Sequence, residues 1–473
     1  MRHIEGEDRS QVALLPESLE DFVDANHPVR VIDAFVDSLD LQALGFDKAI
    51  PKETGRKPYH PGDLLKLYIY GYLNKVMSSR RLEQESQRNV ELMWLLKRLR
   101  PDFKTVSNFR KDNGSAIKGA CRAFVQMCRQ AKLLSGELVA IDGSKFQASA
   151  SIDRSLNRKQ LTRNRSELDQ DLQRYLSRLD AIDKLDGHVG DLQLQREQVQ
   201  ATLKRLKARQ TRLDEYEQAM SERGTNQYCA TEPDAKIMRA ARGGHLLGYN
   251  VQTAVEANNG IIVCHEVTDE SGDSRLLEPM AKQAKDSLQV ERLSVLADAG
   301  YSNGEHLADC ERDGITATTP RRGLPNDSTK WFTRSDFYYD ERHDHYVCPA
   351  GEVLSHKKSL KTKNRIYTRK GCIECPIKSK CTPAENRTIS RHQYEASLER
   401  SETRLKADPS LMTKRMAIVE RPFAMIKQSM GLRRFQCRGI EKTRTEMAIA
   451  VLAYNLQNMI HRLGVQRMLQ LVG

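Results

Sequence analysis

The sequence has no apolar run near the ~20 residues that a membrane-spanning helix needs, and its mean hydropathy is −0.62, so an integral membrane protein is excluded. It lacks an apolar centre near its start, where MRHIEGEDRSQVALLPESLEDF places acids instead, so a secreted form is not expected. Ten cysteines in 473 residues are too few for a disulfide scaffold. No GxxxxGK[ST] phosphate loop is present, and no role for ATP is expected. These absences point to a cytosolic, bacterial protein of about two to four domains. What the chain has in excess is positive charge. It carries 76 Lys and Arg against 63 Asp and Glu, a net +13, with a pI near 9.2, a balance that suits a polyanionic partner.

Residues 27–134 read as helical throughout. HPVRVIDAFVDSLDL sets Val29, Ile32, Val36, Leu39 and Leu41 near helical spacing. Further on, short helices are expected to break at Ser78-Ser79, Asn89 and Pro101, with Arg80, Arg81, Arg88, Lys97, Arg98, Arg100, Lys104, Arg110 and Lys111 interleaved. That layout suits a helix-turn-helix docked on a duplex with its basic residues on phosphates. A helical bundle with a solvated basic face is the plainer alternative.

At Glu137 the period changes from helix to strand. LVAIDGSKFQASAS reads as a buried strand that ends on Asp142-Gly143. Residues 156–222 then interrupt the strand pattern with a seven-residue rhythm, Leu168/Tyr175/Ile182 with Leu172/Leu179, followed by Leu192/Val199/Leu206/Leu213/Met220. Gly187 and Gly190 separate the two halves, which predicts an inserted antiparallel coiled-coil hairpin. Strands resume in GYNVQTAVEANNGIIVCHEVTDESGD around the turn Asn258-Asn259-Gly260. RLLEPMAKQAKDSL (helix), LSVLADAG (strand), NGEHLADCERDG (helix) and ITATTP (strand) follow, giving a mixed α/β sheet. Ser355 to Arg391 reads as loop-rich and basic, and residues 408–464 return to helix.

Two acids are expected at strand ends, Asp142 on the first strand and Asp298 after SVLAD, where sites form in α/β sheets. Paired carboxylates there are the usual oxygen ligands of Mg²⁺. A third acid, Glu420, lies in the late helix DPSLMTKRMAIVERPFAMIKQSMG beside a stripe of Met412, Met416, Val419, Phe423, Ile426 and Met430 expected to face the core. Lys427 lies seven residues on, about 10 Å along the helix. Pro422 inside this helix costs about 3 kcal/mol and predicts a kink beside Glu420, a local rule broken where function is suspected. Taken singly, a strand-end Asp is more often a turn former and a helical Glu a solvated group. Asp, Asp and Glu in this order, on a first strand, a later strand and a late helix, form the layout of a ribonuclease H-like core that holds two metals.

With these motifs in view, the chain resembles a DDE transposase of a bacterial insertion sequence, most closely the IS-eleven-eighty-two group. The resemblance runs over nearly the whole chain: HPVRVIDAFVD, Tyr59 to Asn113, AIDGSKFQA, EPDAKIMRAARGGHLLGYNVQTAVE, LADAGYSN, the CPAG and CxxC cluster, and VERPFAMIKQSMGLRRF. It implies Asp142, Asp298 and Glu420 as catalytic and metal-binding acids, with two Mg²⁺ or Mn²⁺ per site. It implies Lys427 on an end phosphate, as the lysine of a Glu-x6-Lys signature. Related transposases have an Arg four residues before the Glu and a Tyr three further back; here Met416 and Thr413 stand there, with Arg415 one residue off register. Arg415, Arg80, Arg81, Arg110 and Lys111 are the remaining candidate DNA contacts, and Asp234 reads as a loop residue. The partners implied are double-stranded DNA, as terminal inverted repeats and as target, and a second copy of the chain once assembled on DNA; no membrane is implied. A cytoplasmic, nucleoid-associated location follows.

Cys348, then Cys372-x2-Cys375-x5-Cys381, offers four thiolates compatible with a tetrahedral Zn²⁺. Reduced thiols in a basic loop are the alternative, with His343, His345 and His356 as substitute ligands or solvated rings. Lys357, Lys358, Lys361, Lys363, Arg365, Arg369 and Lys370 surround them and suit backbone contacts to DNA. The expected domains are a helical DNA-binding domain at 1–134, an α/β ribonuclease H-like core from 135–155, 223–345 and 408–464, the hairpin at 156–222, and a basic Cys-rich insertion at 346–407. A repair nuclease or recombinase of the same fold, or a non-catalytic DNA-binding regulator, are the other readings.

Overall fold

His-Pro pairs start the first two long helices. In the computed structural model, α1 (Pro28–Asp37) and α2 (Pro61–Leu73) each take a proline at the first turn. The preceding His27 and His60 accept the backbone N–H of Val29 and Gly62 through Nδ1, and proline lacks the donor that this position would leave unpaired. The structure describes residues 18–51, 53–54, 57–184, 190–240, 243–322, 331–360 and 363–473. The expectations resting on residues 1–17, Gly187, Lys361 and the Leu192 side chain lie outside the described residues.

Helices α3 (Ser79–Arg88), α4 (Val90–Leu95), α5 (Phe103–Asp112) and α6 (Gly114–Gln130) follow. Asn89 ends α3 and caps α4 through Leu92 N–H, and Asp102 caps α5 through the N–H groups of Lys104 and Thr105. The breaks therefore fall at Ser78, at Asn89 and just after Pro101. The expectation of helix throughout fails between α1 and α2, where the described residues form turns and loop.

Strand β1 (Leu138–Gln147) opens the sheet. The short β2 (Ser155–Asn157) leads into α7 (Arg158–Asp183) and α8 (Gly190–Glu222), and β3 (Gln227–Cys229) closes the excursion by pairing with β2. Leu168, Leu172, Ile182, Val199, Leu213 and Met220 form the buried seam between the two helices, joined by Leu161 and Leu203. The sheet continues with β4 (Lys236–Arg239), β5 (His245–Glu256) and β6 (Ile262–Thr268), then α9 (Leu277–Leu288), β7 (Leu293–Leu296), α10 (Gly304–Arg312) and β8 (Ile315–Thr318). Its order is β4-β5-β1-β7-β8, with β6 also on β5. β5 runs antiparallel to β1 and β6 antiparallel to β5, whereas β7 and β8 run parallel to β1.

The segment expected to be loop-rich is instead a second sheet: β9 (Tyr338–Asp340), β10 (His345–Val347), β11 (Val353–Ser359), β12 (Asn364–Thr368) and β13 (Thr388–His392), antiparallel in sequence order. Its core is small, chiefly Phe337, Tyr346, Leu354, Tyr367 and Ile389. The boundary expected at 346 falls inside β10. Helix returns earlier than expected, at α11 (Glu395–Ala407). It continues through α12 (Ser410–Ala424) and α13 (Ile440–Leu463), and runs past 464 into α14 (Val465–Val472).

Helix α13 is buried on nearly every face, as a helix is when it runs through a core. It packs on α2 and α6 to one side and β6 to the other, and one hydrophobic cluster runs from Val23 to Met468. The N-terminal helices thus share the core of the sheet. Among the described residues, no helix is long and apolar enough to cross a membrane.

Candidate active site

Asp142 was expected at a strand end, but it lies inside β1. Its partner on β5 is Thr253, and that pairing runs on to Gln147 opposite Gly248. What ends near Asp142 is the other edge: β7 pairs only with Leu138–Ala140. Residues 433–435 cover that edge again at Gln147, through Gln147 N–H to Arg433 O and Phe435 N–H to Gln147 O. Asp142 thus sits where β1 has lost one neighbour. Asp298 follows the end of β7 and caps a short 3-10 turn, accepting Gly300 N–H at 2.7 Å.

Arg415 of α12 joins the two acids. Its Nη2 donates to Asp142 Oδ1 at 2.6 Å and lies 3.7 Å from Asp298 Oδ2. Burial raises the Asp142 carboxyl from 3.8 to about 6, against the pull of Arg415 and with the added repulsion of Asp298 and Asp273. One guanidinium therefore incompletely neutralises this group of acids. Arg415 itself is 9% exposed and its Nε has no partner.

The expected inward stripe holds from Val419 to Met430, but at its N-terminal end Arg415 takes the inward place expected for Met416. Arg415, Val419, Phe423, Ile426 and Met430 point inward, while Met416 is 50% exposed. Five residues beyond Arg415, a side chain lies about 140° around the helix, and Glu420 is accordingly exposed. Asp142, Asp298 and Glu420 do not form a group whose oxygens all lie within 4.8 Å of one another. Pro422 is accommodated next to a π-helical turn, Met425–Ser429, in which Met430 N–H reaches Met425 O. That turn carries Lys427 onto β1. Its Nζ donates to Ser144 Oγ at 2.6 Å and Lys145 O at 2.8 Å, and lies 4.4 Å from the centre of the Phe146 ring. Burial lowers its ammonium to about 8, with Asp142 opposing the shift.

Sequence reasoning missed Asp273, in the loop between β6 and α9. Asn250, Gln252 and Lys145 donate to its Oδ1 at 2.7, 3.0 and 3.3 Å. Asn250 and Gln252 are fully buried, and the Tyr301 hydroxyl donates to Gln252. The only cue in the sequence was a Gly-Asp pair ahead of a helix. Gly143 is explained by the same network, because a Cβ there would meet Gln252 Nε2, with Asp273 Oδ1 at 2.9 Å and the Tyr301 hydroxyl at 3.0 Å. Arg322, also missed, donates to the carbonyls of Ala299 and Gly300 beside Asp298.

The basic residues of the N-terminal helices divide. Arg80, Arg81 and Lys111 are exposed. Arg80 lines an open groove of about 500 Å³ with Ser78, Ser79, Phe103, Lys104 and Ser107. Arg110, expected on DNA, is instead buried at 7% exposure on the inner face of α5. It lies over Tyr68 and in the field of the buried Glu446. Asp234 accepts Ile440 N–H and pairs with Arg223.

Cys348, Cys372, Cys375 and Cys381 line one small cavity of about 20 Å³, although no three of their sulfurs lie within 4.8 Å of one another. Burial raises the Cys381 thiol, and the other three cysteines add to the shift. His343 and His345 gather with Asp340 at the tip of the β9–β10 hairpin, their ligand atoms within 4.8 Å, and His343 is 70% exposed.

Residues 17–112 match the family model described as Transposase domain (DUF772), and residues 347–460 match the one described as Transposase DDE domain. The two matches support a DDE transposase. The second covers Glu420, Lys427 and the four cysteines, and a family of this kind implies divalent metal use. Among solved structures, a piggyBac transposase synaptic complex with hairpin DNA is similar at 10% identity and a TM-score of 0.35, over 95% of this chain and 79% of that one. No curated protein matches the chain.

Proposed function

We propose that the chain is the cytoplasmic, nucleoid-associated transposase of a bacterial insertion sequence of the IS-eleven-eighty-two group. It binds terminal inverted repeats, cleaves phosphodiester bonds and joins the freed 3′-OH ends to target DNA as a dimer or larger assembly. The observation that carries this reading is the meeting of Asp142 and Asp298 at the opening beside β1, sharing one cation. The strand order, with β5 antiparallel to β1 and itself paired antiparallel with β4 and β6 on one side, and parallel β7 and β8 on the other, supports a ribonuclease H-like core. The expected domain division is retained as part of this reading, with the boundary between 345 and 346 moved to the start of the small sheet at Tyr338.

The donor set fits a divalent cation, because the acids are oxygen donors whose charge Arg415 does not fully balance. Asp142 and Asp298 would hold it, and Glu420, exposed and apart from them here, would join them after a turn of α12 on DNA; when bound, the cation would neutralise phosphoryl charge and activate the nucleophile. The residues present do the rest. Arg415 holds the two aspartates together and offsets part of their charge. Lys427 presents a positive charge beside Ser144, where an end phosphate can be held. Arg80, Arg81 and Lys111 offer exposed charge for the DNA backbone. The four cysteines suit one structural Zn²⁺, which would tie the small sheet together.

The test is Mg²⁺-dependent cleavage of a plasmid carrying the gene with its flanking DNA, with wild type, Asp298→Asn and Glu420→Gln. Cuts at flanking inverted repeats, lost in both variants, are expected. DNA binding without cleavage by wild type in Mg²⁺ or Mn²⁺ would favour the DNA-binding regulator. Cleavage without preference for the flanking repeats would favour the repair nuclease.

A further inference from the structure

Asp273 has an asymmetric environment. Its Oδ1 takes three donors, from Asn250, Gln252 and Lys145, two of them on fully buried side chains. Its Oδ2 takes no hydrogen bond among the described residues and faces Gly300: a Cβ at Gly300 would lie 3.7 Å from Asp273 Oδ2 and 2.8 Å from Asp298 Oδ1. A Cβ at Gly143, the neighbour of Asp142, would lie 2.9 Å from Asp273 Oδ1. Two glycines that flank the two site aspartates thus leave room for the same third carboxylate. A residue serving only to knit β5 to its loop has no need of a free oxygen turned toward Asp298.

We infer that Asp273 is a positioning carboxylate of the metal centre, its anchored side chain presenting Oδ2 to the cation held by Asp142 and Asp298. The inference rests on the metal-dependent reading above. The three acids do not close within 4.8 Å of one another, so Asp273 would act on a cation at Asp142 and Asp298 as an outer partner. Partners of this outer kind typically set about ten- to a hundredfold of metal affinity.

The test is calorimetric titration of the full chain with Mn²⁺ in the absence of DNA, together with the metal-free melting temperature. Asp273→Asn retains an oxygen for Asn250 and Gln252 and is expected to weaken Mn²⁺ binding about tenfold or more. Asp269→Asn removes the same charge nearby, from a pair with Lys236, and is expected to leave binding unchanged. Lys145→Met, which frees Asp273 of its ammonium partner, is expected to tighten binding, and this gain should vanish when Asp273 is also Asn. Unchanged Mn²⁺ affinity in Asp273→Asn, with binding lost in Asp142→Asn, overturns the inference and leaves the metal centre standing. Unchanged affinity in Asp142→Asn overturns both. If Asp273→Asn does not fold, Lys145→Met decides alone, and no gain in affinity overturns the inference.

Discussion

Asp142 is a carboxyl that the fold holds partly protonated near neutral pH. Its ordinary value of 3.8 is raised to about 6 in the metal-free chain, so between these values the folded state binds a proton that the unfolded chain has released. That contribution to stability is fully present below about pH 4 and is lost as the pH rises through about 6. Asp142→Asn has no such loss. Relative to wild type it should gain stability between pH 4 and pH 7, on the order of 3 kcal/mol, as read by denaturant unfolding in chelator. A difference that stays flat with pH would contradict the burial of this carboxyl. Arg415 makes the complementary prediction. Arg415→Gln leaves Asp142 and Asp298 without their shared cation, at a cost of about 1–3 kcal/mol, below the figure for a fully buried pair because Asp298 is half exposed. Mg²⁺ should recover more stability in this variant than in wild type, measured by the shift in melting temperature.

The elements of the main sheet except β4, four residues with a lone buried Met238, could be read from the sequence because each carries a local signal. β1 and β7 are short apolar runs, and β5 and β6 flank Asn258-Asn259-Gly260, with Gly260 at φ +64. The helical hairpin was legible for the same reason, since its heptad positions are its buried seam. The small sheet was not. β11 reads VLSHKKS and buries only Leu354, and β12 buries only Tyr367, so alternation is lost among lysines, serines and histidines. On α12, neighbouring Arg415 and Met416 are both plausible inward positions from periodicity alone. Packing on β1 chooses Arg415, and with it the direction of Glu420. Asp273 belongs to a loop and has no periodic signal at all; only the fold brings it to the site. The small sheet, with five core side chains, is the element most in need of a metal. Elemental analysis should find about one zinc per chain, lost in Cys375→Ser together with a lower melting temperature. Zinc-free wild type of equal stability would contradict this role.

At the scale of the whole molecule, the N-terminal helices share one core with the sheet, through α13. The helix that carries Arg80 and Arg81, proposed as DNA contacts, is therefore mechanically continuous with β6 and, through β5, with β1. Leu452→Ala, at a fully buried position on α13, should cost about 2–5 kcal/mol. Hydrogen exchange should then speed up together in α2, α6 and β6; faster exchange in the helices alone would contradict a shared core. The central claim concerns chemistry at Asp142 and Asp298, and strand joining tests it most directly. Pre-cut element ends with free 3′-OH groups, incubated with the chain, supercoiled plasmid and Mg²⁺, should be joined to the plasmid by wild type and not by Asp298→Asn at matched DNA binding. Joined product from Asp298→Asn at the wild-type level would contradict the account.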